Sequence, residues 1–245
     1  MEGIGRQFIE LTKYRKMGRS DYGKGLPQPP LELPWDEAKP VIALPAPQAI
    51  RLGALPVREA IEQRQSLREY ADVPLSQEEL SYLLWCTQGV KQVVPQSRTM
   101  RTVPSAGARH AFETLLCVNR VEGLAPGIYR FLATKHALLG ENLASSVADR
   151  LTEACLGQEF VKRSGATFIW VAVTYRMKYR YGERAYRYLY LDAGHVCQNL
   201  YLAAETIGCG ACAMAAFSDD EVNAVLHLDG HEQFAIYLGA VGKKA

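Results

Sequence analysis

Arg64-Gln65-Ser66-Leu67-Arg68 is the stretch on which the reading of this chain turns. If the segment is extended, period-two spacing puts Arg64, Ser66 and Arg68 on one side. Two guanidiniums and a hydroxyl can then grip a phosphate or hydrogen-bond the edge of a planar ring. Alone the pattern is weak, because arginine is common at solvated helix ends. Two distant stretches strengthen it: Pro104-Ser105-Ala106-Gly107-Ala108-Arg109-His110 and Val241-Gly242-Lys243-Lys244. Taken singly, the first is an ordinary turn and the second a solvated charged tail. Together the three offer the cations, hydroxyls and flexible backbone that a bound phosphorylated cofactor needs.

The surrounding pattern predicts an α+β fold. Pro56 to Gln63 reads as a short helix with proline at its start. Ser76 to Glu79 is a capping box that opens a helix bearing Leu80, Leu83 and Leu84, closed by Gly89. Residues 113–119 and 127–132 read as strands, with Ala125-Pro126-Gly127 as the turn between. A helix is expected over 143–155, and the apolar run 166–174 suits a central strand covered on both faces. Asp192 to Ile207 reads as a long helix, stopped by Gly208, with many small residues that let another helix approach. Ser218 to Glu221 is a second capping box, and 234–239 is a final strand. Strands and helices mix without strict alternation, which favours α+β over a doubly wound sheet.

Seven of the twelve prolines lie between Pro27 and Pro47. That stretch is an extended arm rather than a helix or central strand. Its apolar residues, among them Leu31, Leu33 and Trp35, predict that it lies in a surface groove, of its own or a partner subunit. We therefore divide the chain into an arm, 1–54, and one domain, 55–245. The net charge of +2 gives no argument for nucleic acid. No apolar stretch approaches the ~20 residues of a membrane span, and the N-terminus lacks a secretory signal. Six cysteines without a disulfide-like framework suggest a reduced, cytoplasmic protein.

In their order, the three stretches resemble the FMN-binding segments of the nitroreductase superfamily. The fit is closest to its branch of azoline dehydrogenases from peptide biosynthesis, the SagB type, and covers roughly residues 55–245. The resemblance implies a central, mostly antiparallel sheet flanked by helices, in an intertwined homodimer with FMN at each subunit interface. It implies contacts from Arg64, Ser66 and Arg68 to the phosphate, ribityl chain and pyrimidine edge. It implies that Pro104, Ser105, Ala106 and Gly107 reach the flavin from the second subunit, and that Lys243 or Lys244 meets the phosphate. The backbone at Ala215 and Ala216 would lie beside flavin N5, where typical nitroreductases carry a Glu-Gly pair. The loss of that carboxylate bears on substrate choice more than on binding.

Two other motifs need weighing. Cys209-Gly210-Ala211-Cys212 suggests a redox disulfide or half a zinc site, but no second such pair exists and it follows a helix instead of opening one. Small apolar packing is the better reading, no metal is expected, and the resemblance makes the segment a turn leading to Met214. The Tyr/Arg run 175–190 could stack on RNA bases, yet the charge balance speaks against it. In the azoline-dehydrogenase branch a Lys-Tyr pair there is associated with proton abstraction. Here the pair is Arg180-Tyr181, and arginine is a poor general base. Tyr181, Lys178 and His110 are the candidate catalytic residues, His110 being more often structural in such a place. The expected activity is hydride transfer through FMN from NAD(P)H to a small organic acceptor. Two alternatives stand beside it: dehydrogenation of an azoline or other ring in a modified peptide, and a flavin-binding redox sensor without turnover.

Overall fold

The computed structural model describes residues 3–245. The early elements are short: helices α1 (Ile4–Leu11) and α2 (Asp21–Lys24) precede the proline-rich stretch, and strand β1 (Val41–Ala43) lies within it. Proline withholds a backbone donor and fixes φ, so the chain from α2 to β1 runs extended. It packs against its own chain. Leu33 N–H donates to Glu113 Oε1 at 2.8 Å, and Tyr179 O–H donates to the Leu26 carbonyl at 3.0 Å. Arg176 Nε donates to the Pro30 carbonyl at 2.9 Å while its guanidinium pairs with buried Glu113.

Helix α3 (Val57–Gln63) starts at Pro56 as predicted. In α4 (Gln77–Gln88) the capping box is complete: Glu79 N–H donates to Ser76 Oγ at 3.2 Å, and Ser76 N–H donates to Glu79 Oε2 at 2.9 Å. A hairpin of β2 (Val90–Val94) and β3 (Arg98–Arg101) follows, then β4 (Phe112–Val118), β5 (Gly127–Leu132) and β6 (Ala137–Asn142). Helices α5 (Val147–Ala154) and α6 (Phe160–Arg163) lead to β7 (Ala166–Val173). The chain finishes with α7 (Thr174–Tyr181), α8 (Ala185–Glu205), β8 (Cys209–Met214), α9 (Asp219–Val225) and β9 (Gln233–Lys243).

Seven strands form one sheet in the order β1-β6-β5-β4-β7-β9-β8, with every neighbouring pair antiparallel. Strand β7 lies inside the sheet between β4 and β9 and is buried throughout, as its unbroken apolar run requires. Its side chains alternate between two cores. Phe168 and Trp170 join Leu80 and Leu83 of α4 and Val196 and Leu200 of α8. Ile169 and Val171 join Leu151 of α5 and Val222 of α9 on the other face. Each such side chain, fully buried, stabilises by about 1.5–3 kcal/mol. Among the described residues no helix is long and apolar enough to cross a membrane.

Several predicted boundaries move. Helix α8 begins at Ala185, two turns before Asp192, because Ala185 and Leu189 continue its buried stripe. It ends at Glu205, and Gly208 turns the chain with φ +68°. Helix α5 starts at Val147 instead of 143, since Ala144 N–H is taken by Asn142 Oδ1 at 3.0 Å. Ser218 stands at the N-terminus of α9 but makes no side-chain capping bond. The segment expected as a turn, Cys209 to Cys212, is strand β8, paired residue for residue with Lys243 to Ala240. Its small residues serve close packing: a Cβ on Gly210 would lie 2.5 Å from Leu67 Cδ2. Strand β9 runs through Lys243, so of the two lysines Lys244 alone follows it.

Candidate functional site

The Arg64–Arg68 segment is extended and lies along the outer edge of β8. Ser66 bridges Ala211 in parallel, and Leu67 N–H donates to the Ala211 carbonyl at 2.9 Å. Period-two spacing therefore applies, and the exposed Arg68 and Ser66 and half-buried Arg64 alternate with Gln65 and Leu67. Tyr201 of α8 ties this segment to the sheet. Its hydroxyl is 2.9 Å from Ser66 Oγ and accepts Ala213 N–H at 2.8 Å. The Arg64 guanidinium lies 5.2 Å over the Tyr201 ring, a cation–π contact.

The Pro104–His110 loop is held against the first half of α8. Ser105 O–H donates to Asp192 Oδ2 at 2.6 Å, and Ala106 N–H donates to Asp192 Oδ1 at 3.3 Å. His110 N–H donates to Ser105 Oγ at 2.9 Å. Three φ angles are positive: Gly107 +59°, Ala108 +52° and His110 +43°. Glycine adopts such a conformation freely, whereas each non-glycine residue costs on the order of 1–3 kcal/mol and needs surroundings that hold it. Arg109 braces the loop from the far side, donating to the carbonyls of Gly107 at 3.2 Å and Ser97 at 3.0 Å and to Gln28 Oε1 at 3.1 Å.

Of the candidate catalytic side chains, Tyr181 and His110 lie at this loop, whereas Lys178 lies with the N-terminal segment around Lys16 to Asp21. Tyr181 ends α7 with its hydroxyl against Gly107, where a Cβ would lie 2.5 Å from it. Burial pushes its phenol up, so it is protonated at neutral pH. Lys178 is half-exposed and pairs with Glu183 at 3.6 Å. His110 is buried, and burial, helped by Arg101 and Arg109, pushes its imidazole down to about 3. It is neutral at physiological pH.

The C-terminal lysines are paired with carboxylates of two helices: Lys243 with Glu79 of α4, and Lys244 with Glu205 of α8. Ala215 and Ala216 follow β8 and are exposed, and the Ala216 carbonyl accepts from Gln158 Nε2 at 2.8 Å.

Two groups of the sequence-predicted residues thus lie along one helix, whereas Lys178, Lys243 and Ala215–Ala216 lie apart from both. The Ser105 loop and Tyr181 lie by Asp192; Arg64 and Ser66 lie by Tyr201, nine residues further and about 13 Å along the axis. Asp192 and Tyr201 are contacts that sequence reasoning missed. Asp192 left a signal: it is the lone acid between Ala185 and Ala204, and it shares the buried stripe of Val196 and Leu200. Among the described residues no group of three or more histidines, cysteines or acids is placed to hold a metal.

An antiparallel sheet with a long helix across it, and a cationic segment laid on its edge, belongs to a known class. Residues 61–243 match the Nitroreductase family, and the chain belongs to that family of oxidoreductases. A Methanocaldococcus jannaschii protein named as a nitroreductase, MJ1384, is 33% identical over 204 residues, spanning 83% of this chain and 96% of that one. The trifolitoxin-processing protein TfxB of Rhizobium leguminosarum bv. trifolii is 31% identical over 154 residues, 61% of this chain and 41% of TfxB. The crystal structure of a Ralstonia eutropha protein named as a nitroreductase shares the fold, with a TM-score of 0.69 at 24% identity over 90% of this chain and 95% of that one.

Proposed function

We propose that this protein is an FMN-dependent oxidoreductase that takes electrons from NAD(P)H and passes them to a small organic acceptor. The observation that carries the reading is the extended Arg64–Arg68 segment on the edge of β8, two arginines and a serine at period-two spacing. The donor set suits FMN. Its phosphate is dianionic near neutral pH and needs cations, which Arg64, Arg68 and one of Lys243 and Lys244 offer. The exposed backbone at Ala215–Ala216 would lie beside the flavin ring, with Pro104, Ser105, Ala106 and Gly107 contributed to the same cofactor by the second subunit. When bound, FMN supplies two-electron chemistry, with hydride passing through N5.

The chain's own residues favour reduction over dehydrogenation. Dehydrogenation needs a base, yet Tyr181 is held protonated by burial. Lys178 sits in an ion pair, and His110 is buried. A protonated phenol beside the loop suits delivery of a proton to an acceptor that has received hydride.

The reading includes a homodimer. The two residue groups, about 13 Å apart on α8, are each half a site within one chain. The outward side of that helix carries Tyr190 and Leu191, 60% and 59% exposed, followed by Gly194, where a Cβ would meet nothing. A second copy on this face would bring the loop of one subunit to the arginines of the other. A cytoplasmic location is part of the same proposal and rests on the cysteine pattern.

The relation to TfxB supports a second reading, an FMN-dependent dehydrogenase of the SagB type in peptide maturation, with oxygen as acceptor. Arg180 before Tyr181 weighs against it, because a guanidinium does not give up its proton. A flavin-binding redox sensor is the third possibility.

The deciding experiment is the visible spectrum of the purified protein, with NADPH or NADH added anaerobically. A flavin band that bleaches supports the reductase. A band that persists favours the dehydrogenase or sensor. No flavin after incubation with FMN rejects all three.

A further inference from the structure

We propose that Asp192 is a positioning residue, whose carboxylate holds the Pro104–Gly107 loop in the conformation that faces the cofactor. The inference rests on the FMN reading given above. The loop carries positive φ at Gly107, Ala108 and His110, and two of these are not glycine. Such a backbone persists only where its surroundings over-determine it. Inside the loop, Ala108 N–H donates to the Ser105 carbonyl at 3.0 Å and Arg109 N–H to the Ala106 carbonyl at 3.2 Å. From outside, Asp192 reaches in from the long helix and engages one loop donor with each oxygen.

Those contacts require a carboxylate. Ser105 O–H and Ala106 N–H both donate to it, so an acceptor is needed on both branches. Ser105 Oγ, which accepts His110 N–H with one lone pair, has a second that could accept from an amide, but its own proton would then lose its acceptor. A buried acid among Ala193, Val196 and Leu200 gains nothing from packing there. Burial raises the carboxyl pKa, and the Ser105 and Ala106 hydrogen bonds oppose that rise. By contrast, an asparagine presents one donor where an acceptor is needed, and Ser105→Ala removes the hydroxyl at nearly constant volume.

The test titrates FMN into the cofactor-free full-length protein: wild type, Asp192→Asn, Ser105→Ala and the double variant. Flavin fluorescence reads affinity, visible circular dichroism reads the ring's surroundings, and melting of the cofactor-free form reads stability. Each single variant is expected to weaken FMN binding about tenfold or more, the size expected of a charge-assisted hydrogen bond. The double variant should fall short of the sum of the single ones, because the Ser105–Asp192 contact is lost in both. The dichroism of whatever flavin still binds should change, which a general loss of stability does not produce. If Asp192→Asn fails to fold, Asp192→Glu decides: it keeps the charge but displaces the carboxylate from both loop donors, and is expected to weaken FMN binding likewise. Wild-type affinity and dichroism in the folded variants overturn the inference, whereas failure of the wild type to bind FMN overturns the functional reading instead.

Discussion

The Tyr201 hydroxyl sits 2.9 Å from Ser66 Oγ while accepting Ala213 N–H at 2.8 Å. One phenol therefore joins the long helix, the cationic segment and the end of β8. Tyr201→Phe removes the hydroxyl and leaves a half-buried backbone donor unmet. We expect a loss of about 1–2 kcal/mol in urea unfolding, with FMN held several-fold less tightly. Arg68→Ala is the companion: an exposed side chain whose loss should leave the melting temperature alone and weaken FMN about tenfold. Unchanged FMN retention in Arg68→Ala removes the assignment of that segment.

The two C-terminal lysines should behave differently. Glu205 has a side chain only 3% exposed and sits at the C-terminal end of α8, where the helix dipole disfavours negative charge. Without Lys244 that carboxylate is stranded, and Lys244→Ala is expected to cost about 2 kcal/mol. Glu79 keeps the Ser76 N–H when Lys243 is removed, so Lys243→Ala should cost about 1 kcal/mol or less. Chemical denaturation of both variants checks the order. Adding Glu205→Gln to Lys244→Ala should recover most of the loss, and no recovery would point away from the stranded charge.

Acid should destabilise the fold through His110. Its folded pKa is pushed down to about 3, while an unfolded histidine titrates near 6.5. Between those values the unfolded chain binds the proton and the native one does not, so stability falls as pH drops, by at most about 1.4 kcal/mol per unit. His136 is lowered by burial as well and acts in the same direction. His110→Asn removes the titration and keeps a residue that tolerates positive φ. Denaturation curves from pH 4 to 7 should be flatter for this variant, and an equally steep dependence would falsify the assignment.

Tyr181→Phe separates the two half-reactions. The ring stays, so FMN binding and bleaching by NAD(P)H should hold near wild-type rates. Transfer to an acceptor that must be protonated should slow by about 100-fold. Stopped-flow measurement of each half-reaction reads this directly; equal slowing of both would mean that the phenol shapes the site and donates no proton.

Much of the architecture was legible because it depends on local rules. The Ser76–Glu79 capping box is made by neighbours in sequence, and the run that became β7 has no polar position to show to water. Helix α7 was invisible because Thr174–Tyr181 has little aliphatic period, with Met177 its only aliphatic residue. It is helical because Met177 and Tyr179 are buried and Arg176 is matched by Glu113 from β4. Strand β8 was misread for a related reason. Gly210 and its small neighbours have low strand propensity, and what makes them a strand is pairing on both sides, with β9 and with Ser66.

By itself the sequence determined the α+β class, the starts of α3 and α4, the central strand and the alternation of Arg64, Ser66 and Arg68. Those follow from propensity, capping and periodicity, which act over a few residues. The tertiary structure alone decided that Asp192 anchors the Ser105 loop, that Tyr201 anchors Ser66, and that Lys243 meets Glu79 across 164 positions of chain. Such pairs carry no local signature. They exist because antiparallel pairing of β7, β8 and β9 brings the C-terminus beside α4 and α8, and buried charge then has to find its partner there.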